Sequence, residues 1–159
     1  MEGVENHDTD DGQRGGSAVG VLDMGAGSYQ MIIDPRSSAR MSGVHADLMR
    51  VVYRAATITP IDFIVTEGVR SLDRQKQLKA AGASKTLRSR HLTGHAVDLA
   101  ARVDGEIRWD WPLYHKLAAA MKEAARLEGV QIEWGGDWKG GFIDGPHFQL
   151  PFSTYPEEP

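Results

Sequence analysis

The 159-residue chain contains no cysteine. That absence excludes disulfide scaffolds, thiol catalysis, iron–sulfur clusters and every cysteine-ligated zinc site. Any metal must rest on His, Asp or Glu. No apolar run approaches the roughly 20 residues that span a bilayer, and the chain opens Met1-Glu2-Gly3-Val4-Glu5 without a basic stretch ahead of a hydrophobic one. The expectation is a protein made soluble, with neither a secretion signal of its own nor a membrane-inserted part. A large excess of one charge is also missing, since 18 Lys+Arg face 22 Asp+Glu. The imbalance sits in residues 1–40, with seven acids against three bases, so a globally basic nucleic-acid binder is not indicated.

What is present suffices for one packed domain: 41% of the residues are hydrophobic, enough to build a single core at this length. Residues 1–36 are rich in Gly and Asp and read as a flexible extension, with small apolar clusters at Val19, Val21 and Leu22 and at residues 29–33. Residues 37–152 carry the periodic patterns of a folded unit. Residues 153–159 read as a short C-terminal tail.

Within that unit, Val44, Leu48, Val51, Val52 and Ala55 recur at helical spacing, with Ser42 as the expected cap and Thr59-Pro60 as the stop. The β-branched run Ile61-Asp62-Phe63-Ile64-Val65-Thr66 predicts a strand that places Arg70 just beyond its end. Ser71 caps a helix that Gly82 stops. Ala96-Val97-Asp98-Leu99-Ala100 alternates like a strand, and Asp104-Gly105 marks a hairpin turn. Pro112 opens a long helix with an apolar stripe through Leu113, Leu117, Ala120, Met121, Ala124 and Leu127 that ends at Gly129, and two further strands fall within residues 130–134 and 146–150. This order predicts an α+β fold, a small antiparallel sheet flanked by helices.

The densest chemistry lies in Ser89-Arg90-His91-Leu92-Thr93-Gly94-His95-Ala96-Val97-Asp98. On a helix, His91 and Asp98 would stand roughly 10 Å apart along the axis, too far to share an ion. Gly94 instead favours a turn into a strand, which brings His91 back over Asp98. Asp144-Gly145-Pro146-His147 supplies a third ligand, and two His with one Asp leave a zinc ion an open position. Asp144, beside the metal but not bound to it, is then placed to move the proton of the attacking water. Arg70 is the expected stabiliser of the oxyanion, because a guanidinium keeps its charge and offers several donors.

Four blocks in this order resemble a known family. They are Gly43-Val44-His45-Ala46-Asp47-Leu48; Glu67-Gly68-Val69-Arg70-Ser71 with Gln75; Ser89-x-His91-x-x-Gly94-x-Ala96-x-Asp98; and Trp134-Gly135-Gly136-Asp137-Trp138 with Asp144-x-x-His147. The stretch from about residue 37 to residue 151 resembles the VanY-type zinc D,D-carboxypeptidases and, more closely, the phage L-alanyl-D-glutamate endopeptidases of metallopeptidase family 15. The resemblance implies a hedgehog/D-Ala-D-Ala-peptidase-like zinc fold. It also implies Zn2+ on His91, Asp98 and His147, a general base at Asp144 and a transition-state arginine at Arg70. Gln75, Ser89 and Trp138 become the expected contacts to a peptidoglycan stem peptide.

By the same resemblance the chain is expected to be a monomeric endolysin. It would be made in the host cytoplasm and reach the wall after holin-dependent release. Two other readings share the framework: a D-alanyl-D-alanine carboxypeptidase or dipeptidase, and a non-catalytic zinc-containing wall-binding module. Among other histidines, His95 is expected at the cleft or surface, and His45 and His115 on helices without a site role. The seven bases from Arg70 to Arg90 are expected to form a solvated face attracted to the anionic wall. Trp109 and Trp111 are expected to pack inside.

Overall fold

A computed structural model describes residues 19–23, 28–84 and 86–157, with backbone only up to residue 32. Residues 1–18 of the expected extension and Lys85 of the basic loop lie outside the described residues. Strands β1 (Val19–Asp23) and β2 (Ser28–Ile32) pair as an antiparallel hairpin, and β2 lies against helix α2 (Ala46–Ile58). Ile33, next in sequence, is already buried in the core.

Asp34 caps the short helix α1 (Pro35–Arg40), accepting the Ser37 amide at 2.9 Å. Ser37 Oγ in turn takes the Val65 amide at 2.9 Å, fixing α1 to strand β3 (Asp62–Glu67). The cap of α2 is His45, whose Nδ1 accepts the Asp47 amide at 3.0 Å, rather than the expected Ser42. Ser42 belongs to the turn that ends α1, its amide bonded to the Ala39 carbonyl, and Gly43 at φ +83° separates it from α2. Pro60 forces Thr59 into extended backbone and ends α2 where expected.

Ser71 caps α3 (Leu72–Ala80), a helix with Gln75 as its one buried residue. A 3₁₀ turn over Arg90–Thr93 then leads through Gly94 into β4 (Ala96–Val103). Asp104 and Gly105, both at positive φ, turn β4 back into β5 (Glu106–Arg108). Helix α4 (Trp111–Glu128) ends at Gly129 in the left-handed region, and β6 (Glu133–Trp134) and β7 (His147–Gln149) complete the chain's regular structure.

All pairings are antiparallel, in the order β3-β4-β7-β6, with β5 on the far end of β4. This is the α+β architecture expected from the element order. One face of the sheet, through Phe63, Val65, Val97, Leu99 and Phe148, meets Leu48, Val51, Leu117 and Met121 from α2 and α4. Each of these hydrophobic side chains contributes on the order of 1.5–3 kcal/mol by leaving water. The opposite face stays open for chemistry.

Trp109 and Trp111 do not join the core, contrary to expectation. They sit at the corner where the chain leaves β5 for α4, each packed on one side and open to solvent on the other. Trp134 is the buried indole, donating Nε1–H to the Gly145 carbonyl at 2.7 Å.

Candidate metal centre and active site

The register of the sheet builds the site. Asp98 on β4 pairs directly with His147 on β7, and on its other side with Glu67 on β3. A bulge between Val65 and Glu67 makes the second pairing, since without it Thr66 would stand opposite Asp98. Strand alternation then aims Asp98 away from buried Val97 and Leu99 and into the open face. His91 reaches the same spot from the 3₁₀ turn. Gly94 makes this possible at φ +77°, where an added Cβ would lie 2.4 Å from the Gly43 carbonyl oxygen.

Three ligand atoms form a nearly equilateral triangle. His91 Nε2 lies 3.1 Å from Asp98 Oδ1, His147 Nδ1 lies 3.2 Å from His91 Nε2, and His147 Nδ1 lies 3.3 Å from Asp98 Oδ1. Ligands at 2.0–2.1 Å from a tetrahedral ion stand about 3.3–3.4 Å from one another, so the triangle matches zinc-sized coordination with little movement.

The proton positions point the same way. His91 Nδ1 donates to the Gly68 carbonyl at 2.8 Å, which leaves Nε2 as a lone pair. Gln149 Nε2 donates to Glu133 at 3.1 Å, so its oxygen faces His147 Nε2 at 2.8 Å and takes that proton, leaving His147 Nδ1 as a lone pair. Two lone pairs and a carboxylate oxygen therefore converge with no proton among them, a donor set completed by a cation. His91, Asp98 and His147 are thus a possible metal-binding site.

The electrostatics show how strongly the site draws positive charge. Burial pushes the Asp98 carboxyl up, yet the imidazoles of His147 and His91 outweigh it and hold the group well below the usual range. His147 shows the converse: burial lowers it, and Asp98 with Gln149 raises it above the ordinary imidazole value. Asp144 is held above its ordinary value, first by burial and then by the charge of Asp98. Gly135 allows its close placement, for a Cβ there would lie 2.4 Å from the Asp144 carbonyl oxygen.

Arg70 completes the wall. Its backbone amide bonds to the His91 carbonyl at 2.9 Å, and its Nη2 stands 3.7 Å from the second oxygen of Asp98. Burial works against its charge, but Glu67 outweighs that and raises its pKa.

A cleft of about 780 Å³ opens over these groups, lined among others by Arg70, Ser89, Trp138, Phe142 and Asp144. The expected site residues thus gather in one place, with one difference of position. Gln75 is 0% exposed and lies behind the wall, its oxygen accepting Arg70 Nη1 at 2.6 Å and its nitrogen bonded to Ser84 and the Thr86 carbonyl. Ser89 caps the 3₁₀ turn on the cleft rim, and the Trp138 ring lies 5.0 Å from that of His147. His95 faces a separate depression with His45 and Tyr155. Sequence reasoning assigned no role to Glu67, Gln149 or Glu133. Gln149 was within reach, because it follows His147 by two residues on one strand and so shares its face.

The model of the phage L-alanyl-D-glutamate peptidase family matches residues 30–150, a span that contains Arg70, His91, Asp98, Asp144 and His147. The chain belongs to this family. Among its relatives, the L-alanyl-D-glutamate peptidase of Escherichia phage T5 is 30% identical over 128 residues, covering 72% of this chain and 93% of that protein. The peptidoglycan L-alanyl-D-glutamate endopeptidase CwlK of Bacillus subtilis is 35% identical over 60% of this chain and 65% of its own length. The crystal structure of the Serratia marcescens L-Ala D-Glu endopeptidase ChiX is 50% identical, superposes with a TM-score of 0.74, and is matched over 92% of its chain and 77% of this one. The family fold is therefore this small antiparallel sheet with flanking helices. No helix among the described residues is long and apolar enough to cross a membrane.

Proposed function

We propose that the protein is a zinc endopeptidase that hydrolyses the L-alanyl-D-glutamate bond of peptidoglycan stem peptides. The observation that carries this reading is the convergence of three proton-free donors, His91 Nε2, Asp98 Oδ1 and His147 Nδ1, in a cleft also lined by Asp144 and Arg70. The names of the relatives supply the bond and the polymer.

His91, Asp98 and His147 would hold the zinc ion, with the catalytic unit spanning residues 37–152. Zinc in such a site supplies Lewis acidity, polarising a carbonyl and making water nucleophilic near neutral pH. Asp144 takes a proton from the attacking water and delivers it to the departing D-Glu nitrogen, so the products are an L-Ala carboxylate and a D-Glu amine. Arg70 offers N–H groups to the oxygen that gains negative charge, and Glu67 with Gln75 holds the guanidinium in plane. Ser89 and Trp138 stand at the rim as contacts to the peptide.

The proposed route is that of an endolysin, made in the cytoplasm and then released to the wall. A defined stem peptide carrying both L-Ala-D-Glu and D-Ala-D-Ala bonds tests the proposal. The endopeptidase yields a new D-Glu amine and no free D-Ala. Free D-Ala alone would assign the carboxypeptidase, and intact peptide with zinc bound would assign a binding module.

A further inference from the structure

Two indoles are left in solvent: Trp109 is 60% exposed and Trp111 41%. Neither ring is loose. Trp109 lies parallel to Tyr114, at 8° with centroids 6.1 Å apart. Trp111 stands edge-on to Trp134, at 65° and 6.3 Å, and next to His115. The pair flanks the first turn of α4 as a braced aromatic surface.

That surface lies against the segment that carries Asp144. A Cβ on Gly145 would lie 3.3 Å from the Trp111 ring and 3.4 Å from Tyr114, and Gly145 directly follows Asp144. Polar groups stand beside it. Asp110 occupies the N-cap position of α4 yet makes no side-chain cap bond, and its carboxylate pairs with Arg108 instead. Flat indole faces attract the weakly positive axial C–H groups of a pyranose through their negative π-clouds, and a neighbouring carboxylate and guanidinium suit its hydroxyl and acetamido groups.

We propose that Trp109 and Trp111 form a saccharide platform that takes an N-acetylhexosamine unit of the glycan strand carrying the stem peptide. The proposal rests on the peptidase reading of the cleft. A stem peptide joins its sugar through the amino end of L-Ala, so the glycan lies one residue from the scissile carbonyl. On the protein side, Trp111 packs against Gly145, the residue that follows Asp144. Binding of the sugar selects stems still attached to glycan over free peptides.

The direct test titrates chitotetraose into the full-length protein and follows the indole N–H resonances by NMR. Wild type binds in the millimolar range with Trp109 and Trp111 shifted. Trp109→Ala weakens binding about tenfold, and Trp109→Tyr, which keeps a flat ring, restores most of it. In parallel, Trp109→Ala raises KM about tenfold for glycan-attached stems and leaves cleavage of free stem peptide within about twofold.

No indole shift in wild type overturns the platform, as does an equal loss on both substrates, which would place Trp109 in the fold. Wild-type dimers that Trp109→Ala abolishes, without sugar binding, would assign the surface to a second copy of the chain and overturn it too. Chitotetraose binding through Trp109 in a protein that cleaves no stem peptide would keep the platform and remove the peptidase reading.

Discussion

Arg70 meets Glu67 through two hydrogen bonds of 2.6 Å, Nε to one carboxylate oxygen and Nη2 to the other. The bulge that sets Glu67 opposite Asp98 thus also fixes the plane in which the guanidinium enters the cleft. Glu67→Gln keeps the shape but replaces the paired acceptors with one acceptor and one donor. It is expected to lower kcat/KM on stem peptide about 10- to 100-fold, because a misaimed donor loses most of its value in the transition state. Zinc content should stay at the wild-type level. Steady-state kinetics with metal analysis on one sample checks both, and parallel loss of metal would reassign Glu67 to holding the ion.

Gln149 matters for a different reason. It accepts the His147 Nε2 proton while its own amide is oriented by Glu133. Gln149→Leu removes the group that sets the imidazole tautomer, and zinc affinity should drop about 10- to 100-fold. Competition with a chromophoric chelator measures this without any substrate. Gln149→Glu, which still accepts the proton, should recover part of the affinity, whereas wild-type affinity in Gln149→Leu would contradict the proton arrangement.

The C-terminal segment is fastened to α2 by Tyr155, whose hydroxyl donates to Asp47 at 2.6 Å. The hydrogen bond from Tyr155 is the first cause holding Asp47 below its ordinary value, and burial with the Asp47 bond pushes Tyr155 up to about 12. A depressed carboxylate stabilises the fold above its unfolded pKa, and that stability is lost as pH falls through the folded value. A raised phenol stabilises below its unfolded pKa near 10, and the contribution is lost as pH rises toward about 12. Tyr155→Phe should therefore cost about 1–2 kcal/mol in urea unfolding at pH 7. The difference from wild type should narrow below about pH 4. A constant difference across that range would show that the hydroxyl acts without the Asp47 charge.

How much could be read from the residues follows from how local each feature is. His91, Gly94 and Asp98 sit on one turn and the strand after it, so their meeting was legible from a ten-residue stretch. The helices α2 and α4 followed from apolar spacing that the core confirms. Glu67 falls in a motif without a role of its own, because a bulge between Val65 and Glu67 leaves no mark in the composition. The pairing of Glu133 with Gln149 depends on the register between β6 and β7 across an intervening loop. Trp109 and Trp111 were misplaced because hydrophobicity reports an average tendency to be buried, not whether a ring at that corner is packed on both sides. The small apolar clusters before residue 34 were visible, but glycine around them hid the β1–β2 hairpin they form.

Gly94 links the fold to the candidate metal site. Its positive φ and its closeness to the Gly43 carbonyl exclude a side chain, and its own carbonyl accepts the His45 amide at 2.8 Å. Gly94→Ala should destabilise the protein by about 2 kcal/mol or more. It should also weaken zinc binding, since the turn is what returns His91 to Asp98. Thermal unfolding with and without zinc tests the pair of effects. Equal stability in the two proteins would mean that the turn relaxes without cost.

The central claim is that His91, Asp98 and His147 hold a zinc ion for which Asp144 handles the proton during cleavage of L-Ala-D-Glu. Mass spectrometry of purified peptidoglycan digested with zinc-loaded wild type and with Asp144→Ala, both checked for metal content, tests it most directly. The account predicts new L-Ala carboxyl and D-Glu amino ends with wild type, almost none with Asp144→Ala, and equal zinc in both proteins. Undiminished cleavage by Asp144→Ala, or release of D-Ala by wild type in place of those ends, would contradict it.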